Sequence, residues 1–129
     1  MANMNVTDRS LIGVVMMGAV FADETLTATA AETWPAGAVL ARLTATGKLV
    51  RFDPALATGA QIPLAVLTTP VTFAAAGDRA ERPAISGTLR RGALVDSAGT
   101  ALTQAAIDQL RGFTILALAS YQTSSLDNQ

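Results

Sequence analysis

The chain contains no histidine, and this absence excludes much of the chemistry that enzymes use. Histidine is the usual general base near neutral pH and the commonest metal ligand. The acidic residues do not replace it, because Asp23 and Glu24 form the only adjacent pair and neighbours in a strand point to opposite faces. We therefore expect no catalytic, metal-binding or cofactor-binding residue, and no enzymatic activity.

Cysteine is absent as well, and aromatic residues are few, with one Trp, one Tyr and four Phe. Without disulfides, the chain fits a reducing compartment or a fold that is stabilised by oligomerisation. The core must rely on small side chains such as alanine, each of which buries little apolar area. These features predict that contacts between subunits supply part of the stability.

The charge is nearly balanced, with 9 Lys and Arg residues against 10 Asp and Glu residues, and no basic run occurs. Electrostatic binding to nucleic acid is therefore not expected. The longest apolar run, LIGVVMMGAVFA at residues 11–22, is shorter than the roughly 20 residues that a membrane-spanning helix needs. The sequence thus predicts neither a nucleic-acid partner nor a membrane partner.

Two interpretations of this apolar run remain open. It could be the core of a secretory signal, since Arg9 precedes it and Ala22 ends a short run that a signal peptidase could cleave. Against this, Asp8 offsets Arg9, while Gly13 and Gly18 interrupt the run. We favour the second interpretation, an extended apolar arm that orders against a partner.

The rest of the chain is patterned for short strands. Alternating residues at 39–43 and 48–52 flank Thr46-Gly47, which predicts a hairpin with a two-residue turn. That turn would place Arg42 opposite Arg51. Further strands are predicted at residues 25–30, 64–69, 71–75, 85–89, 93–95 and 113–118. Residues 77–83 are predicted to form a charged turn, and residues 103–111 a helix that Thr103 caps.

Several stretches resemble one known family when they are taken in order. They are AGAVL at 36–40, TATGK at 44–48 and QIPLAVL at 61–67, with weaker matches in AGD at 76–78, GTL at 87–89 and QLRGFTI at 109–115. This set resembles the head decoration proteins of tailed bacteriophages, the family that includes the lambda capsid-stabilising protein. No single stretch is specific, since hairpins with Thr-Gly turns are common, so the order of the stretches carries the resemblance.

The resemblance implies a mainly β fold, a β-clip-like bent ribbon or partial barrel with one short C-terminal helix and an extended N-terminal arm. The arm would be residues 1–22, the domain residues 23–119 and a polar tail residues 120–129. A homotrimer would sit on the outer surface of the virion capsid after assembly in the host cytoplasm. It would stabilise the expanded shell against DNA pressure by binding the major capsid protein.

Candidate contact residues follow from the same resemblance. The arm would touch the capsid through its apolar side chains, namely Leu11, Ile12, Val14, Val15, Met16, Val20 and Phe21. Trp34, Arg42 and Arg51 would lie at a subunit or capsid interface, where Trp anchors are common. For Trp34 the alternative is a place in the core, and for the two arginines it is a side chain extended into water.

Two other functions compete with decoration. The first is a secreted or periplasmic β-rich binding module, which requires the signal-peptide interpretation of residues 11–22. The second is a trimeric β-clip nucleotide hydrolase of the dUTPase type, although the acidic substrate-binding motif of that family is not found in this sequence.

Overall fold

The structure is a computed structural model, and it describes residues 14–118. These residues form ten strands, a short 3₁₀ helix at Arg91–Ala93 and one α-helix, α1 (Gln104–Arg111). The strands are β1 (Val15–Phe21), β2 (Glu24–Ala28), β3 (Glu32–Trp34), β4 (Val39–Arg42), β5 (Leu49–Arg51), β6 (Pro63–Val66), β7 (Val71–Phe73), β8 (Gly77–Glu81), β9 (Ala84–Arg90) and β10 (Ile115–Leu118).

Most of these strands belong to a single curled sheet that forms a half barrel. Its order is β1-β9-β6-β4-β5-β2-β8, and β10 lies parallel to β9 in the same sheet. Strands β3 and β7 form a separate antiparallel pair. The predicted fold class, mainly β with a partial barrel and one short helix, is confirmed.

The helix forms where the sequence predicts it. The Thr103 hydroxyl accepts a hydrogen bond from the Ala106 amide at 3.3 Å, which satisfies one of the free donors of the first turn. Ala106, Ile107 and Leu110 occupy one face and are buried. The helix ends at Arg111, and Gly112 is its C-cap residue. Its buried face covers one side of the sheet.

The two faces of the sheet bury two separate apolar clusters. In β4, Val39 and Ala41 point into the cluster beneath α1, while Leu40 points into the cluster that contains Trp34 and Phe73. Side chains alternate between faces along a strand, so a strand covered on both sides is apolar at every position. This explains why the central strands read as continuous apolar runs.

The hairpin of β4 and β5 has a different register from the predicted one. Ala41 pairs with Val50, and a hydrogen bond from the Leu43 amide to the Lys48 carbonyl at 2.9 Å closes a four-residue loop at residues 44–47. The predicted two-residue turn, Thr46-Gly47, is wrong, because the loop also includes Thr44 and Ala45. The shift is by two positions, so every side chain keeps its predicted face.

Two further segments correct the sequence prediction. Residues 77–81 form strand β8 instead of a turn, and β8 pairs with β2 along its full length. Residues 91–93 form a 3₁₀ helix, after which Val95 makes isolated bridges to Ala38 and Ala101. Local composition misled the prediction in both places, because β8 is a charged edge strand and strand pairing near Val95 is limited to single residues.

We expect Gly37→Ala to destabilise the fold far more than Gly47→Ala. Both glycines have positive φ, +94° and +75°, so either alanine costs about 1–2 kcal/mol in backbone strain. A Cβ at Gly37 would also lie 1.8 Å from the Ala93 carbonyl oxygen, whereas no described atom lies within 4 Å of one at Gly47. Urea unfolding should give a loss of roughly 3 kcal/mol or more for Gly37→Ala. Equal losses would contradict the close approach of the two backbones.

Candidate interaction surface

Strand β1 forms one edge of the curled sheet. It pairs antiparallel with β9, and no strand in the described part of the chain pairs with its other side. Its sequence, VMMGAVF, carries no charge and no proline, which are the usual devices that prevent an edge from pairing with another chain. The opposite edge, β8, carries Asp78, Arg79 and Glu81. The edge of β1 is therefore chemically able to accept a further strand.

The predicted arm residues differ in their surroundings. Leu11 and Ile12 lie outside the described residues. Val14 is buried in the cluster beneath α1, and Val15 and Met16 are half-buried. Val20 and Phe21 are exposed. Residues 15–21 are thus a strand of the domain's own sheet, where the sequence analysis expected them to be part of an extended arm.

The absence of a Cβ at Gly87 of β9 allows β1 to lie close to β9. A Cβ at that position would lie 2.7 Å from the Ala19 Cα, so only glycine lets β1 approach so closely. The register of β1 on β9 shifts at several points, including between Val20 and Phe21, which is typical of a bulged edge strand. The apolar pattern of residues 15–21 predicted a strand that pairs with a partner, but it did not identify β9 as that partner.

Exposed apolar side chains gather on the outer face of the sheet formed by β1, β9 and β10. Met17 of β1 and Leu116 of β10 both lie beside Thr88 of β9. Met17 is 66% exposed, and Leu116 and Leu118 are each 43% exposed. Sequence analysis missed Met17, Leu116 and Leu118, because every residue of β10 is apolar and its sequence does not indicate which side faces outward.

Both ends of the described chain meet at one end of β9. Val15 pairs with Leu89, and the Arg90 amide donates to the Val14 carbonyl at 2.7 Å. On the other side of β9, Leu118 pairs with Arg90. The segments that precede Val14 and follow Leu118 therefore attach to the domain at the same place.

Trp34 lies in the core and offers almost no surface to a partner. It is 1% exposed, and its ring packs on Phe73 with centroids 4.8 Å apart and an interplanar angle of 50°. Its indole N–H donates to the Glu32 carboxylate at 2.8 Å, which satisfies the one polar group of the ring. Of the two predicted roles, the structure places Trp34 in the core.

Arg42 has its partners within the chain. Its guanidinium donates to both oxygens of the Glu24 carboxylate, at 3.1 and 2.9 Å, and to the Gly47 carbonyl at 2.8 Å. The hydrogen bond to Glu24 raises the pKa of Arg42. This bidentate pair fastens the hairpin loop to β2, so neither the predicted opposition to Arg51 nor an extension into water describes it.

Arg51 is held differently, beside a cavity of about 280 Å³ whose lining includes Glu32, Leu43 and Asp53. One terminal nitrogen of its guanidinium donates to the Asp96 carbonyl. Its Nε is buried and has no hydrogen-bond partner within the described part of the chain. Burial lowers the pKa of Arg51, although Glu32 and Asp96 oppose this effect. The fold thus fixes the position of the side chain but leaves part of its hydrogen-bonding capacity unused among the described residues.

The charged side chains concentrate at the other end of the sheet, around β2 and β8. Four ion pairs lie there, namely Arg42–Glu24, Lys48–Asp78, Arg79–Glu81 and Arg82–Asp23. The described carboxylates at this end are paired with cations. Residues 14–118 contain no cluster of three or more His, Cys, Asp or Glu side chains that could hold a metal ion. No helix among these residues is long and apolar enough to span a membrane. Four of the five ion pairs among the described residues therefore lie around β2 and β8, and the fifth, Arg111–Asp108, is on the helix.

Comparison with known proteins supplies a family. A family model described as Bacteriophage lambda head decoration protein D matches residues 15–115, which is well over half of the chain. The match runs from the first residue of β1 to the first residue of β10. No curated protein sequence matches the chain significantly.

The pKa of Asp78 provides a test of the charged end. Hydrogen bonds from Lys48, and to a lesser extent from Thr27, lower it below its ordinary value. The Asp78 carboxylate therefore stabilises the fold above its unfolded-state pKa, and this contribution is lost as the pH falls through the folded-state pKa. In Lys48→Met, an NMR titration should show the Asp78 pKa shifted upward. The matched charge change Arg111→Met should leave it unaltered, and an unchanged pKa in Lys48→Met would contradict the pairing.

Proposed function

The chain belongs to the bacteriophage lambda head decoration protein D family, and from this we propose that it cements the phage head from outside. It binds the major capsid protein on the outer surface as a homotrimer and stabilises the expanded shell against the pressure of the packaged DNA. The family is one of structural proteins of the virion capsid, so the proposed action is mechanical. The observation that carries the proposal is the family match over residues 15–115.

The anchor that we propose consists of the segment preceding Val14, with Leu11 and Ile12, together with the edge of β1, with Val20 and Phe21. An extended segment can add a strand to a sheet edge, where backbone hydrogen bonds supply affinity and alternate side chains supply specificity. The uncharged edge of β1 suits such an addition. Each contact need not be strong, because three linked copies bind with a high effective concentration.

We revise the interface roles proposed for Trp34, Arg42 and Arg51 according to the contacts that each residue makes within the chain. Trp34 is enclosed in its own core and Arg42 is engaged by Glu24, so we assign neither to a subunit contact. Arg51 keeps that proposed role, because its half-buried side chain lines a surface cavity and a hydrogen bond to the Asp96 carbonyl holds it there.

The secretory alternative is less compatible with the fold, because β1 belongs to the domain. Cleavage after Ala22 would remove β1 and take Val14 out of the cluster beneath α1. It would also expose the edge of β9 that β1 now covers. We therefore keep assembly in the host cytoplasm and a place on the virion as the proposed localisation.

We expect the double substitution Leu11→Asp and Ile12→Asp to abolish binding to phage heads that lack decoration protein. Two carboxylates would have to be buried without partners in the proposed contact, which costs several kcal/mol. The described core begins at Val14, so the melting temperature should change little. Cosedimentation with heads measures the bound fraction. The control Asn3→Asp and Asn5→Asp adds the same charge to the same segment and should bind normally. Normal binding of the first variant would contradict the anchor.

We also expect the free protein to be a trimer at micromolar concentration. The reason is a core that contains many alanines and few aromatic side chains, which leaves part of the stability to subunit contacts. Light scattering or native mass spectrometry should give three times the chain mass, and dilution should lower the melting temperature. A stable monomer that binds heads one copy at a time would refute this expectation.

A further inference from the structure

We propose that neighbouring subunits join by inserting the ring of Phe113 from one copy into the cavity beside Arg51 of the next. This inference rests on the proposed function, because it takes the homotrimer from there and names the surface that joins the subunits. Neither the family match nor the sequence patterns assign a role to Phe113.

Phe113 exposes an aromatic ring at a place where hydrogen bonds fix the backbone. It lies in the turn between α1 and β10 and is 42% exposed. Its amide donates to the Leu110 carbonyl at 2.9 Å, and the Thr114 amide donates to the Arg111 carbonyl at 3.1 Å. Within residues 14–118, the other exposed aromatic ring is Phe21. A large apolar side chain on a fixed backbone is typical of the anchor residues of interfaces.

The backbone of Thr114, directly after this ring, is strained. Its φ is +66°, and every other positive φ among the described residues belongs to a glycine. This conformation is unfavourable for a β-branched residue, and such residues persist where the surrounding structure imposes them, often at functional sites. Here the Gly87 amide donates to the Thr114 carbonyl at 3.1 Å, which fastens the turn to β9. A strained turn held beside an exposed ring points to a contact made by that ring.

The cavity beside Arg51 has the size and lining that such a ring needs. Its volume is about 280 Å³, and a cavity of roughly 150 Å³ already holds a benzene molecule. Leu43, Val50 and Leu56 contribute apolar side chains to its lining, and Leu56 is 48% exposed. The Arg51 guanidinium, which donates to the Asp96 carbonyl, supplies a cation for the face of an aromatic ring. An aromatic side chain therefore suits this cavity.

The charges on the two sides of the proposed contact are complementary. Glu32 and Asp53 line the cavity, so two carboxylates face a single cation there. Arg111 lies two positions before the aromatic ring and is exposed on the last turn of α1. Its ion pair within the chain is a long one, 3.8 Å from the Asp108 carboxylate. Entry of the ring would bring the Arg111 guanidinium toward the carboxylates of the neighbouring copy.

The ring and the cavity of one chain are separated within the sheet. Phe113 leads into β10, which lies on β9, whereas the cavity borders β5, and β6 and β4 lie between β9 and β5. Adjacent strands are about 4.8 Å apart, so three steps separate the two places by roughly 14 Å along the sheet. The occupant is therefore another copy. A contact between two different patches is heterologous, and it forms a closed ring when three copies complete a full turn.

Substitution of the ring tests the contact. Phe113→Ala removes an exposed side chain, so the circular dichroism spectrum of the folded domain should be retained. The concentration at which the trimer half-dissociates should rise at least about thirtyfold, as light scattering over a dilution series would measure. Phe21→Ala is the matched control, since Phe21 is 39% exposed, and it should leave the trimer intact. An unchanged half-dissociation concentration in Phe113→Ala would overturn the proposal.

A photo-crosslink identifies what the ring touches. p-Azidophenylalanine in place of Phe113 keeps an aromatic ring and, on illumination, links to neighbouring atoms. A mixture of isotope-labelled and unlabelled chains shows by mass spectrometry whether the link joins different copies. We expect an intermolecular link to the peptide that contains Leu56 and Thr58, which both line the cavity. A link within one chain, a link to another region, or no link in an intact trimer would each contradict the proposal.

The outcomes separate this inference from the proposed function. If Phe113→Ala forms a normal trimer that binds heads, the decoration proposal stands and the subunit contact is wrong. If the unsubstituted trimer depends on Phe113 but does not bind heads of its own phage, the subunit contact stands and the decoration proposal fails. If the unsubstituted chain is a monomer at micromolar concentration, both the trimer and this inference fail.

Discussion

Strand β9 is the element on which the rest of the structure depends, because both of its edges are used. One edge holds β1, and the other holds β6 near Ala84 and β10 from Gly87 onward. The first and last described strands are thereby joined to the centre of the sheet through one strand. The absence of a side chain at Gly87 makes this possible, since any Cβ there would collide with β1. Loss of β9 would separate the chain ends from the core.

Features that depend on local sequence could be predicted. The helix followed from Thr103 and its apolar spacing, and the central strands followed from short apolar runs between turns. The hairpin register did not, because a Thr-Gly pair fits a four-residue loop as well as a two-residue turn. Strand β8 was missed because it forms by pairing with β2 along its full length, while its charged residues leave no apolar pattern in the sequence.

The candidate surface was only partly accessible to sequence reasoning. The apolar character of residues 15–21 pointed to pairing, but the partner, β9, lies more than sixty positions along the chain. Arg42 and Trp34 were predicted at an interface because one is charged and the other is a large aromatic residue. In the structure, Arg42 pairs with Glu24 and Trp34 packs on Phe73. Leu116 and Leu118 became visible only when the register of β10 on β9 established which side chains face outward.

The common exit of the two chain ends has a mechanical consequence. If a force acts on the segment before Val14 along the direction of the strands, it pulls β1 lengthwise past β9, and a force on the segment after Leu118 does the same to β10. Hydrogen bonds loaded in this way share the strain and must break together, whereas bonds pulled apart sideways break one at a time. A domain tethered by its ends would therefore resist traction along its strands far better than peeling across them.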